Sequence, residues 1–279
     1  MSIIEAAVLG LVQGLAEFLP ISSSGHLILA RAIMGISDEA ASTGAFMMLD
    51  VLLHAGTLLA VAVVFWKDWW AILKNPFKSK TLLLLFIASV PALLAVVLLG
   101  DVIDSFFTGW FLGVSFLITA VFMLIAESVS RRSIKWAEHP SYKHSIAMGL
   151  MQAVALLPGV SRSGSTLMGG VASGLNRKSA AKFSFMMSAP AILGSLVFEG
   201  KEALEMGYFQ QLSLVPTVVG VIVAAVSGYL AIRFMLRLIN KVSLNWFALY
   251  VAVLGLVILL LQLAGAGGLP AFELPAVFG

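Results

Sequence analysis

The 279-residue chain has no cysteine, so neither a disulfide nor thiol chemistry is open to it. It is also poor in charge. Asp, Glu, Lys and Arg make up 11% of the residues, against 60% hydrophobic. A soluble domain carries about 25% charged residues, so an all-α polytopic integral membrane protein is expected instead. The formal net charge of +3 is too small to suggest a nucleic-acid partner. No basic segment precedes the first apolar run, so a cleaved signal peptide is not expected.

What is present is apolar sequence in two lengths. Six stretches, at 45–66, 81–102, 109–126, 183–198, 214–233 and 245–264, reach or approach the roughly 20 residues a bilayer crossing needs. The stretch at 183–198 is short and needs Ala180 and Ala181 from its flank. Two further runs, 6–19 and 145–157, are too short to cross. Each ends in Pro, Gly and Ser and is followed by another short apolar piece. That pattern predicts a re-entrant helix hairpin, whose irregular tip survives at depth only inside protein or beside a wet cavity.

The two short runs are related. A shift of 139 positions, the offset between Gly10 and Gly149, aligns them without a gap. Gln13 then meets Gln152, and Ser22, Ser24 and Gly25 meet Ser161, Ser163 and Gly164. Farther on, Phe46, Met47 and Met48 meet Phe185, Met186 and Met187. A duplication within one membrane domain, 1–279, is expected, with repeats at about 1–135 and 140–274. The pairs Gly10/Gly14 and Gly149/Ala153 open both hairpins with small residues four apart, and close helix packing accounts for them.

Lys and Arg set the expected orientation. They gather in 67–80, 127–144, 171–182 and 233–244, whereas the other connections hold only Arg31 and Lys201 and favour acids such as Asp38, Glu39, Asp101, Asp104, Glu199, Glu202 and Glu205. With the basic loops in the cytoplasm, both termini lie outside. The first hairpin enters from outside and the second from the cytoplasm. Each half is then one hairpin plus three spans of opposite orientation, an inverted-topology repeat that brings the hairpin tips together in the bilayer.

The copies differ where chemistry would sit. Glu17 faces Leu156, and Ser23 faces Arg162. Gln13 and Glu17 share a helix face. A lone carboxylate in an apolar run costs about 2.5–3.5 kcal/mol on insertion scales, so a partner is required, and intramembrane acids are functional by default. Ser22, Ser23, Ser24 and His26 surround a turn with Pro20 and Gly25, a plausible phosphate cradle. Arg162 lies among Ser161, Ser163, Ser165 and Thr166, and arginine suits bidentate recognition of phosphate oxygens. Asp50 and His54, four apart, face the same cavity or simply each other. Glu127, His139 and His144 fall near a cytoplasmic loop and are read as non-catalytic. Together these groups fit phosphoryl chemistry on a substrate dissolved in the membrane.

At Gln13 to Glu17, Pro20 to His26 and Pro158 to Thr166 the chain resembles the undecaprenyl-diphosphatase family, the bacitracin-resistance phosphatases of bacterial cell-wall synthesis. Asp50 also matches an acidic position of that family, and His54 stands where Gln can occur. The resemblance implies a hydrolase of the bacterial cytoplasmic membrane, dependent on a divalent cation (Mg2+ or Ca2+). It would convert undecaprenyl diphosphate to undecaprenyl phosphate and inorganic phosphate at a site opening to the extracytoplasmic side. Gln13 and Glu17 would bind metal or activate water. Arg162, Ser161, Ser163 and Thr166 would hold the diphosphate, with Ser22, Ser24, Asp50 and His54 as further substrate contacts. Either Ser23 or His26 would be the nucleophile or proton carrier, and His26 could serve as the base for Ser23. The expected partners are the bilayer and a polyprenyl diphosphate lipid, with a homodimer as the assembly to test.

The acid-phosphatase-like lipid phosphatases, which share Ser-Gly-His and Ser-Arg signatures, are excluded: they need His and Asp where this chain has Met168 and Ala172. A transporter or flippase of an anionic polyprenyl lipid is the rival reading, since broken helices in inverted repeats are a transporter signature. A purely structural subunit does not explain Arg162 and Glu17 at depth.

Overall fold

Ser2 starts the first helix by a reciprocal cap. Its hydroxyl accepts from the Glu5 amide at 3.2 Å while the Glu5 carboxylate accepts from the Ser2 amide at 2.8 Å. The helix, α1 (Ile3–Phe18), stops two residues before Pro20, and α2 (Ser23–Ile33) begins on a Ser22 cap. The elements that follow are α3 (Gly44–Val64), α4 (Trp66–Lys74), α5 (Lys80–Phe106) and α6 (Leu112–Ser130). Then come α7 (Tyr142–Val154), α8 (Arg162–Ala172), α9 (Arg177–Glu205), α10 (Leu214–Leu238) and α11 (Asn245–Leu263). This computed structural model describes residues 1–36, 44–106, 109–132, 135–208, 213–267 and 269–272. Among them there is no β-strand, only an isolated bridge between Ala137 and Leu175. Asp38 and Glu39 lie outside the described residues, as do the side chains of Met47, Asp101, Asp104 and Glu202.

Among the described residues, five helices, α5, α6, α9, α10 and α11, are long and apolar enough to cross a membrane. The pair α3 and α4 makes a sixth candidate if counted as one, although it bends by 78°. The outer faces carry the apolar side chains, Val97, Leu98, Phe198 and Leu214 among them, an exterior suited to lipid.

Most expected bounds shift by a few residues, and two differences are larger. The basic stretch 67–80 is not a plain loop, because Trp66–Lys74 forms α4. Two of its tryptophans meet lysines, Lys67 lying 5.7 Å from the Trp66 ring and Lys74 5.6 Å from Trp70. Such residues favour the membrane–water interface, where a helix lies along the surface. The short stretch 183–198 extends to Arg177–Glu205. Asn176 caps its start, accepting from the Ser179 amide at 2.8 Å, and Lys182 meets Asp68 of α4 at 2.6 Å.

The small residues at the start of each hairpin serve close packing, as their spacing predicts. A methyl group at Gly10 would lie 2.3 Å from the Gly220 carbonyl oxygen on α10, and one at Gly149 would lie 2.5 Å from the Ala88 carbonyl oxygen on α5. So α1 packs on α10 and α7 on α5, while α3 packs on α9 and α6 on α11. Under the pairing of α1 with α7, α3 with α9, α5 with α10 and α6 with α11, these contacts exchange or map onto themselves. The largest apolar core joins both halves, and Phe18 meets Phe185 edge-on within it at 5.5 Å.

Candidate active site

Both hairpins turn by the same local device. The Ser22 hydroxyl accepts from the Gly25 amide at 3.3 Å, and the Ser161 hydroxyl accepts from the Gly164 amide at 3.1 Å. Each satisfies one of the free amides at a helix start. The next hydroxyls sit alike, Ser24 at 3.4 Å from Ser22 and Ser163 at 3.3 Å from Ser161. The serine two positions after each cap also crosses to the other hairpin. The Ser24 hydroxyl accepts from the Gly159 amide at 3.2 Å, and Ser163 donates to the Leu19 carbonyl at 3.0 Å. The tips therefore interlock. One asymmetry is in the backbone, since Ser22 has φ 75° whereas Ser161 has φ −68°.

This interlock sets Glu17 against Arg162. The Glu17 carboxylate, 6% exposed, pairs with the Arg162 guanidinium through one oxygen. Its other oxygen accepts from Ser23 at 2.6 Å and from the Gln13 amide at 3.1 Å. His54 Nε2 lies 3.9 Å from that oxygen, reaching in from α3. Five expected site residues, Gln13, Glu17, Ser23, His54 and Arg162, are thus one cluster. Removing either member of such a buried pair leaves an uncompensated charge, at about 3–5 kcal/mol. Two polar atoms in the cluster, Gln13 Oε1 and Arg162 Nη1, are buried without a hydrogen-bond partner among the described residues. An unsatisfied acceptor and an unsatisfied guanidinium donor beside one carboxylate leave places for a cation and an anion.

The remaining expected residues go elsewhere. Thr166 donates to the Arg162 carbonyl at 2.8 Å and lies 2.6 Å from the Ser184 hydroxyl, steadying the turn that carries the arginine. Asp50 pairs with Arg31 rather than with His54 or Glu17. His54 Nδ1 bonds the Asp50 carbonyl at 2.8 Å, so its contact with Asp50 is through the backbone alone. His26 is turned toward α11. Its Nδ1 lies 2.7 Å from the Ser22 carbonyl and its Nε2 2.7 Å from the Tyr250 hydroxyl, with the two rings stacked 5.7 Å apart. A carbonyl only accepts, so Nδ1 carries the proton and Nε2 presents its lone pair to Tyr250. The Ser23 hydroxyl is therefore bonded to Glu17 and not to His26.

A model of the family described as bacitracin resistance protein BacA matches residues 6–257 of the chain. The chain belongs to the BacA family. The undecaprenyl-diphosphatase of Carboxydothermus hydrogenoformans is 40% identical over 267 residues, covering 95% of this chain and 99% of that protein. Undecaprenyl-diphosphatase 3 of Bacillus cereus is 38% identical over 263 residues, with 94% and 98% covered. That of Thermodesulfovibrio yellowstonii is 38% identical over 258 residues, with 92% and 96% covered. Family membership and the apolar helices together make this BacA-family chain an integral membrane protein.

Sequence reasoning passed over Arg31, Thr119 and Tyr250. Arg31 had looked like an isolated cation in an acid-leaning connection. Thr119 accepts from the Ser161 amide at 2.9 Å, and it and Tyr250 sit in apolar spans far along the chain from their partners. A hydroxyl in an apolar run is the available signal, and it does not say which hairpin it serves.

Proposed function

We propose that this chain is a membrane-embedded phosphatase that hydrolyses undecaprenyl diphosphate to undecaprenyl phosphate and inorganic phosphate. Such a reaction recycles a lipid carrier for cell-wall synthesis and would confer bacitracin resistance. The observation that carries the reading is the Glu17–Ser23–Arg162 cluster, built from both hairpins, with Arg162 Nη1 unpaired among the described residues. Near-complete coverage of relatives called undecaprenyl-diphosphatase supports the same substrate.

The cluster suggests the order of events. Arg162 holds a terminal phosphate oxygen through its free donor. The Ser23 hydroxyl gives its proton to Glu17 as Oγ bonds to the terminal phosphorus, the anhydride P–O bond breaks, and polyprenyl phosphate leaves. Water then cleaves the phosphoserine, releasing inorganic phosphate and returning the proton to Ser23. His26, engaged with Tyr250, lines the lipid-side approach in this scheme, and Ser22, Ser24, Ser161, Ser163 and Thr166 hold the two turns in register.

A divalent cation fits only as a partial site. No group of three His, Cys, Asp or Glu able to hold one occurs among the described residues. Gln13 Oε1 and the spare lone pairs of Glu17 supply oxygen donors, and Mg2+ commonly completes its shell with substrate phosphate and water. When bound, the cation would neutralise diphosphate charge.

The fold reading that accompanies this function is an inverted repeat of two re-entrant hairpins and six spans in one membrane domain. Its support is the exchange of helix contacts under the 139-residue shift and the coincidence of helix bounds, α2 at Ser23–Ile33 and α8 at Arg162–Ala172. The basic ends then face the cytoplasm of the bacterial inner membrane, and the site opens outward. The same pseudo-symmetry is the observation that favours the second reading, a flippase of an anionic polyprenyl lipid.

The test is phosphate release from undecaprenyl diphosphate by purified protein in detergent, with and without chelator. Release that chelator stops, with acid-stable phosphate trapped on the protein, supports hydrolysis through Ser23. Acid-labile phosphate would move the nucleophile to His26. Lipid binding without release under any divalent ion would leave the transporter.

A further inference from the structure

Four candidate spans have an end near one pocket: Ser130 of α6, Arg177 of α9, Leu238 of α10 and Asn245 of α11. The pocket is lined by Glu127, Ser130, Arg131, Asn176, Arg177 and Lys241 with adjoining loop residues. It shares no residue with the Glu17–Arg162 cluster.

The pocket has a rigid floor and a surplus of positive charge. Glu127, 5% exposed, accepts from Arg131 Nε at 2.8 Å and from the Leu244 amide at 2.8 Å, and it pairs with Arg177. Arg177 also donates to Ser130 through Nε at 2.8 Å and to the Val242 carbonyl at 3.4 Å. That network ties α6, α9 and the turn between α10 and α11 together and consumes Arg177. It leaves other cationic capacity over. The Arg131 side chain is 65% exposed, and its only acidic partner among the described residues is the one Glu127 oxygen met by Nε. Lys241 makes no ion pair among the described residues. One carboxylate thus faces three cations, and the two exposed cations point to an anion from outside the chain. Trp136 on the pocket wall suits the headgroup layer, where tryptophan concentrates.

We infer that this pocket binds the phosphate of an anionic membrane lipid. The chemistry it recognises is a phosphate mono- or diester. Its place at the ends of four spans selects a lipid headgroup over a soluble ion, because basic pockets between helices at span ends hold headgroups. Glu127 acts here as a positioning residue that presents both arginines.

The experiment places the protein in nanodiscs of phosphatidylcholine with graded phosphatidylglycerol and counts retained lipid by native mass spectrometry. Wild type is expected to retain phosphatidylglycerol in preference. The exposed pair Arg131→Ala with Lys241→Ala should weaken that preference about thirtyfold, and Lys241→Gln alone about fivefold. Lys67→Ala with Lys74→Ala, on α4, should leave it unchanged. An unaltered melting temperature in the double variant separates lost binding from lost fold. The inference is overturned if the double variant keeps the preference, or if millimolar inorganic phosphate displaces the lipid and so assigns the pocket to a free anion.

Discussion

The two hairpins have the same turns and opposite chemistry. Each begins with a glycine pressed on a neighbouring backbone, breaks near a proline and restarts on a serine cap. Each then sends the serine two positions after its cap across to the other hairpin. Yet Glu17 and Ser23 stand on one tip where Leu156 and Arg162 stand on the other. The hairpins share what the backbone needs, while the proposed phosphate site calls for one carboxylate and one guanidinium rather than two of each. A symmetric pair of carboxylates would repel each other and the diphosphate. A symmetric pair of arginines would replace Ser23 itself.

The comparison can be broken most severely at the charges. Arg162→Ala strands Glu17, and the expected result is a loss of phosphate release of about 10²–10³, typical of removing one donor that stabilises transition-state charge. On the same hairpin, Leu156→Ala, at the position that matches Glu17, should leave turnover within about twofold. Equal losses at both positions would mean that the difference in chemistry has been misread.

At the helix contacts the hairpins should instead behave alike. Gly10→Leu and Gly149→Leu each drive a side chain into a carbonyl oxygen, Gly220 or Ala88, and overpacking of this kind costs about 1–3 kcal/mol or more. Thermal unfolding in detergent measures it. A large drop for one and none for the other would end the case for matched packing.

The caps give the smallest effects. Ser22→Ala and Ser161→Ala should each cost about 1 kcal/mol of stability. Only Ser22 has a positive φ, so glycine should improve on alanine there by about 1 kcal/mol more than at Ser161. Orientation is checked separately. Cysteines at Lys135 and Lys201 should label from opposite membrane faces, and labelling from one face would remove the inverted repeat.

The breaks at Pro20 and Pro158, the matched serines and the close-packing glycines were all readable in the chain, because they are local and repeated. So was the need for a partner to Glu17, since charge in an apolar run demands one. What was not readable depends on where distant spans fall. Tyr250 reaches His26 from 224 positions away, and nothing near Tyr250 marks it. Asp50 and His54 share a helix face by spacing, but Arg31 draws the Asp50 side chain aside. Glu127 looked like a loop acid, and only the meeting of α6, α9 and the turn after α10 makes it a hub. The helix at Trp66–Lys74 was hidden because its pattern suits an interface rather than a span.

The central claim is that the two hairpins share one phosphatase site, and a double-mutant cycle between Glu17 and Arg162 tests it most directly. Phosphate release from undecaprenyl diphosphate is measured for Glu17→Gln, Arg162→Ala and the two combined, each corrected for folded fraction. If the residues act as a unit, the double variant should lose no more than the worse single variant, as members of one catalytic constellation do. Losses that multiply would show two independent contributions, and the shared site would be contradicted.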